Sequence, residues 1–111
     1  MRRDYKVYLE DILEAIGRIR KYTSGVTAEA LGSDTKTLDA ILRNLEVIGE
    51  AAKKIPETVR AQNPQIEWRK IAGLRDIIIH EYFNVDTEII WDITQNKLPI
   101  FEKQIREIFN E

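Results

Sequence analysis

No cysteine occurs in the 111 residues, so disulfides, thiol nucleophiles and cysteine-ligated zinc are excluded and a cytoplasmic location is expected. No stretch approaches the roughly 20 apolar residues that span a bilayer, and the N-terminus MRRDYKVYLED reaches charged residues too soon for a secretory signal. Charge of either sign is nearly balanced, 17 Lys and Arg against 19 Asp and Glu, so any nucleic-acid contact must come from a local patch. Arg69, Lys70 and Arg75 can form one, or can lie on an ordinary solvated helix face. Glycine-rich phosphate loops, a Gly-x-Ser-x-Gly elbow and period-two apolar stretches of strand length are also missing. With one histidine, a two- or three-histidine metal site is unavailable, and no Glu-x-x-His pair is present. No metal and no cofactor is therefore expected.

What remains is a chain with 43% apolar residues, enough for one core and one domain over residues 1–111. From Tyr5 to Tyr22 the apolar residues recur at three- and four-residue steps behind Asp4, a candidate N-cap. SGVTAEALGSD then interrupts the pattern, with room for a helical turn over Ala28 to Leu31. Ser33 or Asp34 can cap a second helix whose stripe is Leu38, Ile41, Leu42, Leu45, Ile48, Ala52 and Ile55, ending near Pro56. Pro56 suits the first position of a short helix, PETVRAQ, and EWRKIAGLRDIIIHEYF resumes the period after Asn63-Pro64. Asp86 can cap a last helix with Ile89, Ile90, Ile93, Leu98, Phe101, Ile105 and Ile108 on one side, kinked or split by Pro99. The expected fold is all-α: an up-and-down bundle of four main helices with short connecting helices.

The candidate site lies in RDIIIHEY, residues 75–82. His80 is the one side chain suited to both accepting and giving a proton near neutral pH, although a lone histidine in a helix is commonly a surface or structural residue. Arg75 offers a permanently charged planar fork that matches phosphate oxygens and can offset charge in a pentacoordinate transition state. Asp76 precedes His80 by one helical turn, close enough to fix the imidazole tautomer or to form an ordinary i,i+4 pair. At about 100° per residue, Tyr82 falls within roughly 20° of Arg75, whereas His80 points about 140° away. Either the helix loosens near His80, or arginine and histidine meet through a second copy of the chain, which would also bring together two histidines as base and acid.

Three further features stand beside this set. Glu46 and Glu50, one turn apart, are most simply a helix-surface pair. Gly49 sits inside a strong helical pattern at a cost of roughly 1 kcal/mol relative to alanine, which predicts close approach of another backbone. Tyr82 and Phe83 are core or interface aromatics, or stack on a base if exposed; Trp68 and Trp91 are core or interface anchors.

With NLEVIGEAAKKIP at 44–56, EWRKIAGLRDIIIHEYFNVD at 67–86 and IIWDITQNKLPIF at 89–101, the chain resembles HEPN-domain proteins of the HepT type. Their defining pattern, Arg-x4-His-x-Tyr, is met by Arg75, His80 and Tyr82, and the resemblance covers nearly the whole chain. It implies a HEPN-like bundle and the toxin half of a type VII-like toxin–antitoxin pair, a metal-independent endoribonuclease acting on transfer or messenger RNA. Arg75 would engage the phosphate and His80 would transfer protons, with Asp76 at a supporting position where a polar residue is expected. Tyr82 matches the acceptor of AMP groups added by the antitoxin, an MntA-like minimal nucleotidyltransferase. The resemblance also implies a homodimer, or a higher oligomer with the antitoxin, with the motif near the subunit interface. The competing reading is a non-catalytic partner or nucleotide-binding subunit of a nucleotidyltransferase.

Overall fold

The computed structural model describes residues 4–110, apart from the side chains at 81 and 83, so the role considered for Phe83 lies outside the described residues. Among the described residues every regular element is helical. Helix α1 spans Tyr5–Thr23, α2 Ala28–Ser33, α3 Thr35–Lys53, α4 Glu57–Gln62, α5 Trp68–Glu81, α6 Thr87–Asp92 and α7 Leu98–Phe109. A 3-10 turn, Tyr82–Asn84, follows α5, and a π-helical turn, Ile93–Lys97, joins α6 to α7.

Helices α1, α3 and α6 each begin where a side chain satisfies the free amides of the first turn, whereas α5 and α7 start without a side-chain cap. Asp4 accepts from the Lys6 amide, Asp34 from Thr37 and Asp86 from Glu88 and Ile89. The α1–α2 connection turns at Gly25, whose φ of 76° favours a residue without Cβ. Pro56 takes the N-cap of α4, not its first helical position, because its ψ of 144° is still extended.

Helix α3 is the central rod, packed against α1 on one side and α5 on the other, while α7 closes over α1. Its stripe Ile41, Leu42, Leu45, Ile48 and Ala52 is buried together with Leu9, Ile12, Ile16 and Ile19 of α1. Trp68 is buried at the start of α5, edge-on to Phe101 at 6.2 Å, with Nε1 donating to the Asn63 carbonyl at 3.0 Å. Trp91 is half-buried against the core.

The C-terminal third is split, one of the two outcomes expected of Pro99. The break falls ahead of Pro99, which lies in the first turn of α7. Proline has no N–H to donate and its ring crowds the carbonyl four residues back, and a wide π turn absorbs both defects. The extra width changes the phase of the faces on either side. Ile90, Leu98, Phe101, Ile105 and Ile108 are buried, whereas Ile89, expected on the same stripe, is 59% exposed. Helix α6 packs on α2, a different neighbour from that of α7. Among the described residues no helix is long and apolar enough to cross a membrane.

The cap at α3 gives a testable pH dependence. The hydroxyl of Thr37 donates to Asp34 Oδ2 at 2.6 Å and its amide to Oδ1 at 3.1 Å, and these bonds, side chain first, hold the carboxyl below its ordinary range. A depressed folded-state pKa contributes stability that is present above the unfolded-state value and is lost as pH falls through the folded-state one. Asp34→Ala should therefore melt earlier than wild type at neutral pH, and the two melting temperatures should converge in acid.

Candidate active site

Helix α5 carries all four candidate residues or ends beside them. It starts as the chain leaves Asn63-Pro64, with Ile66 and Trp68 inserted into the core, and among the described side chains of its C-terminal half it buries only Ile78. Arg75 is half-buried on the edge facing α3, and Tyr82, in the following turn, is 41% exposed. Asp76 and His80 are exposed.

The helix is continuous from Trp68 to Glu81 and tightens only at Tyr82. It does not loosen before His80. Arg75 and His80 therefore remain on different faces of one α-helix, while Arg75 and Tyr82 share an edge, as the angular argument requires.

Both residues on that edge are held by carboxylates of α3. Glu50 Oε2 lies 2.7 Å from Arg75 Nε, and the Tyr82 hydroxyl donates to Asp39 Oδ1 at 2.5 Å. Glu50 is thus engaged across the helix interface, where sequence spacing had suggested a surface pair with Glu46. Gly49 explains how α3 comes so near: a Cβ built there would lie 2.8 Å from the Arg75 amide nitrogen and 3.1 Å from the Ile71 carbonyl oxygen. The predicted close backbone approach is present, and its partner is the backbone of Arg75 itself.

Asp76 is not hydrogen-bonded to His80 among the described residues; its Oδ1 lies 3.4 Å from Arg75 Nη1. The permanent charge of the neighbouring guanidinium attracts this carboxylate, and an exposed i,i+4 spacing alone does not outweigh it. Asp39 is a site residue that sequence reasoning missed, and Glu50 one whose partner it misjudged. Gly49 was the only signal that pointed to that side of α3.

Clefts flank α5 on several sides, among them one of about 590 Å³ lined by Arg60, Trp68, Arg69 and Asp76. Toward α1 and α3, an open cleft of about 300 Å³ is bounded by Tyr8, Arg43, Glu46, Glu50, Lys54 and Arg75. Toward α7, an apolar groove of about 580 Å³ runs past Gly73, Leu74, Ile77, Ile100 and Phe101. Ile77 and Ile79, just ahead of the exposed His80 in sequence, are 56% and 46% exposed. Of the predicted basic patch, Lys70 is paired with Glu67 at 2.7 Å and Arg75 with Glu50. Among the described residues no three histidine, aspartate or glutamate side chains cluster as a metal site.

The hydrogen bond to Asp39, followed by desolvation, raises the pKa of Tyr82 above the ordinary tyrosine range. A raised value means stability present below the unfolded-state pKa and lost as pH climbs through the folded-state one. In an alkaline absorbance titration Tyr82 should ionise late. Asp39→Asn should bring that step back toward the ordinary range, and an unchanged profile would mean the bond is not formed in solution.

The profile of the family described as "Ribonuclease HepT-like" matches residues 12–108. A provisionally named RNase of Methanocaldococcus jannaschii is 44% identical over 110 residues, 99% of this chain and 91% of the relative. A protein named probable ribonuclease HepT, from Thermococcus cleftensis, is 40% identical over 108 residues, 97% of this chain and 98% of the relative. Another provisionally named RNase, from Caldanaerobacter subterraneus, is 38% identical over 104 residues, 94% of this chain and 93% of the relative. No solved structure matches.

Proposed function

The chain belongs to the HepT-like ribonuclease family, and from that premise we propose that it is the toxin of a two-component system, a metal-independent endoribonuclease working as a homodimer. The observation that carries this reading is the disposition of α5. A half-buried Arg75 is held on one face and an exposed His80 on another, in a helix too regular to bring them together within one chain. A two-fold axis near Ile77 and Ile79 would cover exposed apolar surface and set Arg75 of one subunit toward His80 of the other.

In such a site one imidazole takes the proton of the ribose 2′-hydroxyl as its oxygen attacks the adjacent phosphorus. The imidazolium so formed gives that proton to the departing 5′-oxygen, leaving a 2′,3′-cyclic phosphate and a 5′-hydroxyl. Arg75 offsets the charge that gathers on the non-bridging oxygens. Tyr82, exposed and on the Arg75 edge, is the acceptor for AMP from a minimal nucleotidyltransferase. A phosphodiester on that oxygen replaces the hydroxyl proton that binds Asp39 and puts negative charge beside the RNA path.

The test is incubation of the purified chain with total RNA in excess EDTA, with and without the nucleotidyltransferase and ATP, read on a denaturing gel and by intact mass. Cleavage should persist in EDTA and stop once AMP is added, and Tyr82→Phe should take up no AMP. Cleavage abolished by EDTA would remove the metal-free mechanism. AMP transfer without RNA cleavage under any of these conditions would leave a non-catalytic partner of the transferase.

A further inference from the structure

Two adjacent residues of α3 close on Arg75 from different sides. Gly49 brings the α3 backbone to the Arg75 main chain, where an added Cβ would also stand 3.2 Å from Arg75 Cβ. Glu50 then meets the far end of the same side chain, with Oε2 2.7 Å from Nε. The base of Arg75 is fixed by contact and its guanidinium is held by an ion pair at close range. The pair is poorly suited to fastening helices, since the side chains are 37% and 44% exposed and solvent screens such pairs. The interface is already sealed by Ile48, Ala52 and Ile78.

The geometry points to Glu50 as the positioning residue that aims Arg75 at the scissile phosphodiester, an assignment that rests on Arg75 being the phosphate-binding arginine. A guanidinium presents its N–H groups in a rigid planar fork, so fixing one nitrogen fixes the directions of the others. Glu50 takes Nε and leaves the terminal Nη1 and Nη2 hydrogens for phosphate oxygens. The only other carboxylate on the fork among the described residues is Asp76, at 3.4 Å from Nη1 and 62% exposed, and this is the contact that an arriving phosphate displaces. The other Glu50 oxygen, Oε1, lies 3.8 Å from Lys54 Nζ on the wall of the same cleft. Lys54 thus steadies the glutamate and offsets its negative charge where a polyanion must approach.

Glu50→Ala, Glu50→Gln, Arg75→Ala and the double variant Arg75→Ala/Glu50→Ala, each in the full chain, should be compared for kcat and KM on an oligoribonucleotide and for melting temperature. Glu50→Ala should lower kcat by roughly 10- to 100-fold through misaimed geometry, with little change in KM or melting temperature. Glu50→Gln, which keeps an oxygen in place beside Nε, should recover most of that loss. The double variant should be no slower than Arg75→Ala alone. Wild-type kcat in Glu50→Ala, faster cleavage by it, or a loss that glutamine does not relieve would overturn the positioning role and leave the reading of Arg75 standing. Full activity of Arg75→Ala, or no turnover by wild type, would remove that reading and the positioning role with it.

Discussion

Equal amounts of Arg75→Ala and His80→Ala subunits, unfolded and refolded together, should recover about a quarter of wild-type RNA cleavage, because half the dimers pair randomly as hybrids and each hybrid holds one intact site of two. Each variant alone should fall by roughly 10²- to 10⁴-fold, the range for losing a positioned proton-transfer or charge-stabilising group. Folding should survive both changes. His80 is exposed and bonded to no described residue, and the ion pairs of Arg75 are partly open to solvent. The expectation follows from the regularity of α5, which keeps the two side chains on separate faces throughout Trp68–Glu81. Complementation requires that they come from different chains. If the refolded mixture is as inactive as its parents while wild type refolded in parallel regains activity, the two residues act within one chain, and α5 must unwind on binding RNA.

Gly49→Ala should destabilise the fold by about 2 kcal/mol, against the usual rule that alanine improves a helix by about 1 kcal/mol over glycine. The new methyl would stand 2.8 Å from the Arg75 nitrogen and 3.1 Å from the Ile71 oxygen, both main-chain atoms that no rotamer change can move aside. Relief requires α5 to retreat from α3, which also withdraws Arg75 from Glu50, so cleavage should fall further than the lost stability accounts for. Gly17 supplies the control. It is also inside a long helix, but nothing lies within 4 Å of its added Cβ, so Gly17→Ala should raise stability by up to about 1 kcal/mol. Thermal and urea melts of the two variants decide the matter. An equal rise in melting temperature for both would mean that the α3–α5 approach is looser in solution.

The contrast between these glycines marks where sequence reading succeeds and where it stops. Periodicity located α1, α3 and α5 because a long amphipathic stripe and a capping carboxylate, Asp4 or Asp34, are properties of one segment. It misjudged Ile89 because the π turn before Pro99 shifts the phase between α6 and α7, and the size of that shift depends on what each packs against. At the site, Arg75, His80 and Tyr82 were legible as residue types at a spacing. Their carboxylate partners were not, since the register of α3 against α5 is set by tertiary contact. Gly49 signalled that contact without naming its partner. Asp76 was assigned to His80 on spacing alone, and the stronger field of the adjacent guanidinium redirects it.

The two ties from α3 have a further consequence for how this sequence can vary. Asp39 and Glu50 are about three helical turns apart, so they project from one side of α3, and both reach the same edge of α5. A substitution between them alters one side chain. A single-residue insertion or deletion there would rotate one tie by about 100° relative to the other and break one of them. Length changes should therefore collect in the α1–α2 and α4–α5 connections, while the interval from 39 to 50 keeps its count even where its surface residues drift.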